Sequence, residues 1–109
     1  MNQETQIISQ NQYETIMNEL KSSVYEYSNS TKQINAFDFF LSKYNICKDG
    51  YYCATSDKAY PIFKLLKKFD LVKKTPHINF FYRKTYTFNL TQHGIDFYNK
   101  YTLNNFNPN

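Results

Sequence analysis

The chain has 109 residues, enough for one domain with a small core, and its 11 Tyr and 10 Phe mean that the core is packed with rings. No apolar run approaches the length needed to cross a membrane. Two Cys and two His without a shared spacing exclude a zinc knuckle, and two isolated Gly exclude a glycine-rich phosphate loop.

Met1 to Gln6 is polar, does not resemble a signal peptide and is expected to be disordered. From Ile7 to Tyr27 the residues Ile7, Ile8, Tyr13, Ile16, Met17, Leu20, Val24 and Tyr27 recur at roughly helical intervals, which predicts one long helix. Its apolar content suggests a dimerisation helix over 7–27, with an ordinary first helix as the alternative. Ser28-Asn29-Ser30-Thr31 breaks the pattern and offers caps for a second helix from Lys32 to Tyr44, whose buried stripe would be Ile34, Phe37, Phe40, Leu41 and Tyr44. Asp49-Gly50 signals a turn. Tyr51 to Thr55 fits either a short strand or a short helix.

The stretch from Ser56 to Tyr98 reads as helix, hairpin, helix. Ala59, Ile62, Phe63, Leu66 and Phe69 share one face of a helix over 56–69. Pro61 is tolerated in the first turn of a helix, so the regular helix either begins near Tyr60 or starts at Asp57 with Pro61 as its fourth or fifth residue, and a start between Asp57 and Tyr60 is favoured. A hairpin over 71–90 follows, with strands Leu71–Thr75 and Lys84–Leu90; Tyr86, Phe88 and Leu90 alternate with Thr85, Thr87 and Asn89. Thr91 caps a last helix with an inner face of Ile95, Tyr98, Tyr101 and Leu103. Residues 104–109 carry no pattern and are expected to be disordered.

Charge is unevenly divided. Up to Asp57 there are four Lys against seven acids, and from Lys58 onward there are nine Lys or Arg against only Asp70 and Asp96. A basic second half suits the phosphate backbone of nucleic acid better than a merely solvated surface does.

Leu66-Lys67-Lys68-Phe69-Asp70-Leu71-Val72, followed by Phe88-Asn89-Leu90-Thr91-Gln92-His93-Gly94, resembles the second half of a winged helix-turn-helix domain of the MarR- and PadR-like regulators. About 45 residues carry the likeness. It departs from the family where Asp70 replaces the usual Gly and where Pro61 enters the recognition-helix segment. The resemblance implies an α+β fold, mainly helical, with a two- or three-stranded β wing. It implies a recognition helix whose outward residues are Asp57, Lys58, Tyr60, Pro61 and Lys64. Lys58 and Lys64 would meet guanine acceptors or phosphate, Tyr60 a base methyl or phosphate, and Thr55 and Ser56 phosphate. Lys67 and Lys68 either join that site or stabilise the helix C-terminus. Lys73, Lys74, Arg83 and Lys84 belong to the wing, with Arg83 aimed at the flanking minor groove.

These features predict a cytoplasmic, nucleoid-associated protein that binds double-stranded DNA as a homodimer, most simply as a transcriptional repressor. A plasmid or phage segregation or replication adaptor, or a winged helix used for protein–protein contact, are the alternatives. No enzyme, cofactor, metal or membrane partner is expected. Neither His77 nor His93 has a catalytic partner at a recognisable spacing, and the sequence does not identify a small-molecule effector.

Overall fold

The structure, a computed structural model, describes residues 8–27, 32–77 and 84–106. The elements follow in the order α1 Gln10–Ser22, β1 Val24–Tyr27, β2 Lys32–Asn35, α2 Ala36–Asp49, β3 Tyr51–Ala54, α3 Tyr60–Lys68, β4 Val72–His77, β5 Thr85–Leu90 and α4 Gln92–Phe106. The fold is therefore α+β, with β1 and β2 forming one small antiparallel sheet and β3, β5 and β4, in that order, forming another.

Helix α2 is central because it is apolar on two sides. Phe37 and Phe40 lie one turn apart and meet Phe97 of α4, with ring centroids at 6.4 and 5.6 Å. Tyr13 of α1 meets the same Phe97 ring at 5.2 Å, and Tyr44 stacks on Tyr98 at 3.7 Å. On the other side, Phe39 meets Phe63 of α3 edge-on at 5.3 Å. Phe63 in turn stacks on Phe88 of β5 at 4.5 Å and 7° and lies 5.0 Å from Tyr51 of β3. Phe40, Phe63, Phe88 and Phe97 are all fully buried. Offset and edge-to-face pairs of this kind add about 0.5–1.5 kcal/mol each beyond the area they bury.

The first helix is shorter than its periodicity predicts. Ser9 starts it by accepting a hydrogen bond from the Gln12 N–H, and it ends at Ser22 rather than Tyr27. The Ser22 and Ser23 hydroxyls and the Ser23 N–H all donate to the Glu19 carbonyl, which closes the last turn. Val24 and Tyr27 fit the helical spacing but lie on β1, where Val24 pairs with Asn35 and Tyr27 with Lys32. Valine and tyrosine favour a strand once serines have ended the helix. Tyr13, Ile16 and Leu20, the apolar face that suggested a dimerisation helix, are buried within the chain itself.

Helix α2 likewise begins at Ala36, not Lys32. Asn35 caps it through its side-chain oxygen, which accepts from the Asp38 N–H at 2.8 Å, while its amide nitrogen donates to the Lys21 carbonyl at 3.2 Å. One side chain thus fixes the end of α1 against the start of α2. In α4 the buried centre is Phe97, with Ile95, Tyr98 and Tyr101 half-buried and Leu103 65% exposed. The expected inner face is therefore rotated, and the helix continues through Asn104 to Phe106.

Tyr51–Ala54 forms a strand, with Tyr51 opposite Phe88 and Cys53 opposite Tyr86. Residues 55–59 are turns, so no second helix stands between β3 and α3.

Two sequence signatures form one mechanical joint. At the end of α3, the Leu71 N–H donates to the Leu66 carbonyl and the Asp70 N–H to the Lys67 carbonyl. This is the Schellman arrangement, which needs a left-handed residue after the cap, and Asp70 takes it with φ 62°. Leu66 and Leu71 are both fully buried beneath it. The Thr91 hydroxyl donates to the Asp70 carbonyl and accepts from the Gly94 N–H at 2.9 Å, so one hydroxyl ties the end of α3 to the start of α4. A Cβ on Gly94 would lie 2.2 Å from the Leu71 carbonyl oxygen. Only glycine fits there.

Candidate functional site

Helix α3 begins at Tyr60, with Pro61 next to it, within the range expected from the proline. The expected span of 56–69 shortens to Tyr60–Lys68. Residues 55–59 are arranged by Asp57, whose carboxylate accepts from the Ala59 N–H at 2.8 Å while its N–H donates to the Ala54 carbonyl. Asp57 is therefore a turn residue, half-buried, and no side chain caps α3 directly.

Ile62, Phe63 and Leu66 of α3 are buried against α2 and the sheet. Pro61, Lys64, Lys67 and Lys68 are exposed, as is Lys58 just before the helix. Positions 61, 64, 67 and 68 lie within about 120° of one another on the side of α3 away from its buried face, and Lys58 belongs to the turn before the helix. The nine residues of α3 include no Asp or Glu.

The lysines divide by what they touch. Lys21 lies over Phe37 at 5.4 Å, Lys48 over Tyr44 at 4.7 Å and Lys100 over Tyr13 at 5.6 Å, and Lys43 lies over both Phe39 and Tyr51. Among the described residues, Lys58, Lys64, Lys67, Lys73 and Lys84 have neither a ring nor a carboxylate partner, and all five side chains are exposed. Lys32 on β2 is the one similar lysine elsewhere.

Tyr60, like Asp57, does not face outward as expected, and the wing residue Lys74 is engaged within the fold. The Tyr60 ring is half-buried, stacked against Tyr86 at 5.9 Å and near Phe88 at 6.1 Å. Lys74 donates to the Tyr60 hydroxyl at 3.2 Å and lies over the Tyr86 ring at 4.5 Å. These three residues brace α3 against the β4–β5 hairpin. Lys68 lies over Phe69 at 5.5 Å at the end of α3. Thr55 and Lys84 are brought together, since the Thr55 N–H donates to the Lys84 carbonyl at 3.1 Å. Thr55 and Ser56 are exposed there. Arg83, along with the rest of 78–83, lies outside the described residues.

Sequence reasoning missed the outer side of the sheet. Tyr52, 62% exposed, lies 5.5 Å from the exposed His77 ring, although their strands are separated by β5. The adjacent pair Tyr51-Tyr52, one ring inward and one outward, was the available signal.

Both cysteines are free and buried. Burial pushes the Cys47 thiol up to about 11, with Lys43 pulling it partly back. Burial pushes Cys53 up to about 12, helped by Asp57. Both thiols are thus held protonated and unreactive at neutral pH. Among the described residues no helix is long and apolar enough to cross a membrane.

Comparison of the chain with protein-family models, curated proteins and solved structures gives no significant match.

Proposed function

We propose that the chain binds double-stranded DNA through α3 and the β4–β5 hairpin, as a winged-helix repressor does, in a nucleoid-associated role. The observation that carries this reading is the set of lysines without a ring or carboxylate partner among the described residues: Lys58 just before α3, Lys64 and Lys67 along it, and Lys73 and Lys84 on the hairpin side. A cation with no partner in its own fold loses no internal contact when it meets phosphate, and each such contact releases counterions.

The nine residues of α3 span about 14 Å, comparable with the width of the major groove. In this reading Lys58 and Lys64, near its N-terminal end, approach base edges or phosphate, while Lys67 lies along the backbone. Thr55 and Ser56 offer hydroxyls to phosphate beside Lys84, and Lys73 follows the flanking strand. Lys74 and Tyr60 act one step removed, by holding α3 and the hairpin at a fixed angle.

A homodimer reading two half-sites about 34 Å apart completes the proposal. With Tyr13, Ile16 and Leu20 buried internally, Leu103, Val24 and Ile46 are exposed aliphatic side chains available for that contact among the described residues.

The test is duplex affinity as a function of salt for the wild type, Lys64→Ala and Lys67→Ala. Each variant is expected to keep its fold and lower the salt slope by about one. A slope unchanged in both variants overturns α3 as the DNA-facing helix. Sedimentation at micromolar concentration showing only monomer, with and without DNA, overturns the dimer.

A further inference from the structure

We infer that the outer face of the β3–β5–β4 sheet is a second nucleic-acid surface, one that takes an unpaired strand by stacking a base on Tyr52. Helix α3 packs on the other face, so this surface shares only Lys73 with the duplex reading, and the inference does not depend on that reading.

The strand register defines the face. Tyr52 and Thr75 are both opposite Thr87, Ala54 and His77 are both opposite Thr85, and Lys73 is opposite Asn89. Directly opposed residues of an antiparallel pair point the same way, so these side chains share one side of the sheet. Tyr51, Cys53, Phe88 and Val72 occupy the other side and are buried or half-buried.

Tyr52 is exposed but held in place. Its hydroxyl reaches diagonally to donate to Thr85 Oγ1 at 3.1 Å, while the His77 Nε2 reaches the opposite way to hydrogen-bond Thr87 Oγ1. The two side chains cross above β5, which explains why Thr85 is only 4% exposed on a strand facing solvent. An aromatic ring fixed in this way can take a base without a large loss of its own rotamer freedom.

The charge and chemistry around the ring select the occupant. Strands β3, β4 and β5 contain no Asp or Glu. Lys73 lies at one end of β4 and His77 at the other, about 13 Å apart along an extended strand. Thr75, Thr87 and Asn89 fill the space between with hydroxyls and an amide. A π-face with the Lys73 ammonium, an imidazole and short polar groups around it matches a backbone of phosphates carrying unstacked bases. Duplex DNA presents base edges, not base faces, and cannot use the ring this way.

The experiment is fluorescence anisotropy of a labelled oligothymidylate of about 12 nucleotides, and of a duplex of equal length, with the wild type, Tyr52→Ala, Tyr52→Phe and Lys64→Ala. Tyr52→Ala is expected to weaken single-strand binding about tenfold and Tyr52→Phe much less, since stacking is typically worth a fivefold to hundredfold change. Lys64→Ala is expected to leave single-strand binding within about twofold. Failure of the wild type to bind oligothymidylate at low salt overturns the inference, as does a Tyr52→Ala affinity within twofold of wild type. Equal losses on single strand and duplex also overturn it, by making this face part of the duplex site. So does dispersal of an oligomer by Tyr52→Ala with oligonucleotide affinity intact, which would mark a contact between copies. Failure of the wild type to bind the duplex while it binds oligothymidylate would overturn the reading of α3 and leave this surface standing.

Discussion

The lysines of α1, α2 and α4 are part of their own fold, whereas those of α3 and the β4–β5 hairpin mostly are not. Lys21, Lys43, Lys48 and Lys100 each lie within 6 Å of a Tyr or Phe centroid. Lys58, Lys64, Lys67, Lys73 and Lys84 have no such partner among the described residues. A count of basic residues does not reveal this difference. The first group carries its charge above an aromatic core and is balanced by Glu14, Glu19, Asp38, Asp49 and Asp96 on the same helices. The second group has only Asp57 and Asp70 near it in the described chain from Thr55 to Leu90, and such a net positive field attracts an external anion.

The α3–α4 corner joins the two regions, and the largest predicted effect falls there. Gly94→Ala would drive a methyl group to 2.2 Å from the Leu71 carbonyl oxygen. The obstacle is backbone held in the Schellman turn, so it cannot rotate aside. A loss of about 3 kcal/mol is expected in denaturant unfolding, at the upper end for added core atoms. Thr91→Val removes the same joint's hydrogen bonds without the clash and should lose about 1 kcal/mol. If Gly94→Ala is neutral, the two regions are not rigidly joined there.

The buried thiols sharpen the comparison, because each lies beside a different charge. Both are raised in the folded chain above the ordinary thiol value near 8.5. The folded state therefore holds its thiol protons at pH values where the unfolded chain releases them, and stability falls as pH rises. The full stabilisation is present below about pH 8.5. It is lost at about 1 kcal/mol per pH unit for each thiol between about pH 9 and about pH 11. Cys47, relieved by Lys43, stops contributing near 11, whereas Cys53, beside Asp57, continues toward 12. Burial raises Tyr13 and Tyr44 as well and steepens the upper part of the curve. Urea midpoints across this range should flatten in Cys53→Ala above about pH 11 and in Cys47→Ala below it.

Lysine substitutions in the helical region test the distinction directly. Lys48→Ala and Lys100→Ala should each lower stability by about 0.5–1 kcal/mol, the scale of a cation above an exposed ring. Neither should change nucleic-acid affinity beyond about twofold at moderate salt. If Lys48→Ala weakens binding as much as Lys64→Ala does, the field of the whole molecule is responsible and the division by partner has no functional meaning.

The sequence made the α3–hairpin–α4 region legible because its signals are local. Leu66-x-x-x-Asp70-Leu71 sets a helix end with a left-handed residue, and Leu90-Thr91-x-x-Gly94 sets a helix start. The structure adds that the two signals are one object, since Thr91 bonds Asp70 and Gly94 faces Leu71. The N-terminal region was less legible because a period near 3.6 can be met by chance across a break. Leu20, Val24 and Tyr27 fit one helical face by spacing, yet the chain turns at Ser23. Asn35 reads as one more polar residue until the end of α1 is placed beside it, so the start of α2 depends on a tertiary contact. Phe39 was missed as core because a helix buried on two sides has no single stripe. Tyr60 was placed outward by analogy, whereas Tyr86 and Phe88 offer it a better site on the sheet.

Asp70→Gly is the smallest expected effect and the one in which the two regions oppose each other most clearly. Asp70 holds φ 62°, a conformation that costs an L-residue about 1–2 kcal/mol and Asp somewhat less. Its carboxylate also sits at the C-terminal end of α3, where the helix dipole disfavours negative charge by about 0.3–1 kcal/mol. Glycine removes both costs but adds freedom to the unfolded chain, which returns about 0.5–1 kcal/mol. The Thr91 bond is to the backbone carbonyl and survives the change. The net gain expected from thermal unfolding is therefore about 0.5 kcal/mol. Asp70→Asn separates the terms, because it removes the charge while keeping a side chain that tolerates the left-handed region. Equal gains from Gly and Asn would show that the charge, not the backbone, is the burden. The same two variants remove one of only two acids after Lys58, so both should also tighten duplex binding slightly. A stability gain without tighter binding would mean that the end of α3 lies away from the DNA and that the useful part of its lysine row is confined to Lys58 and Lys64.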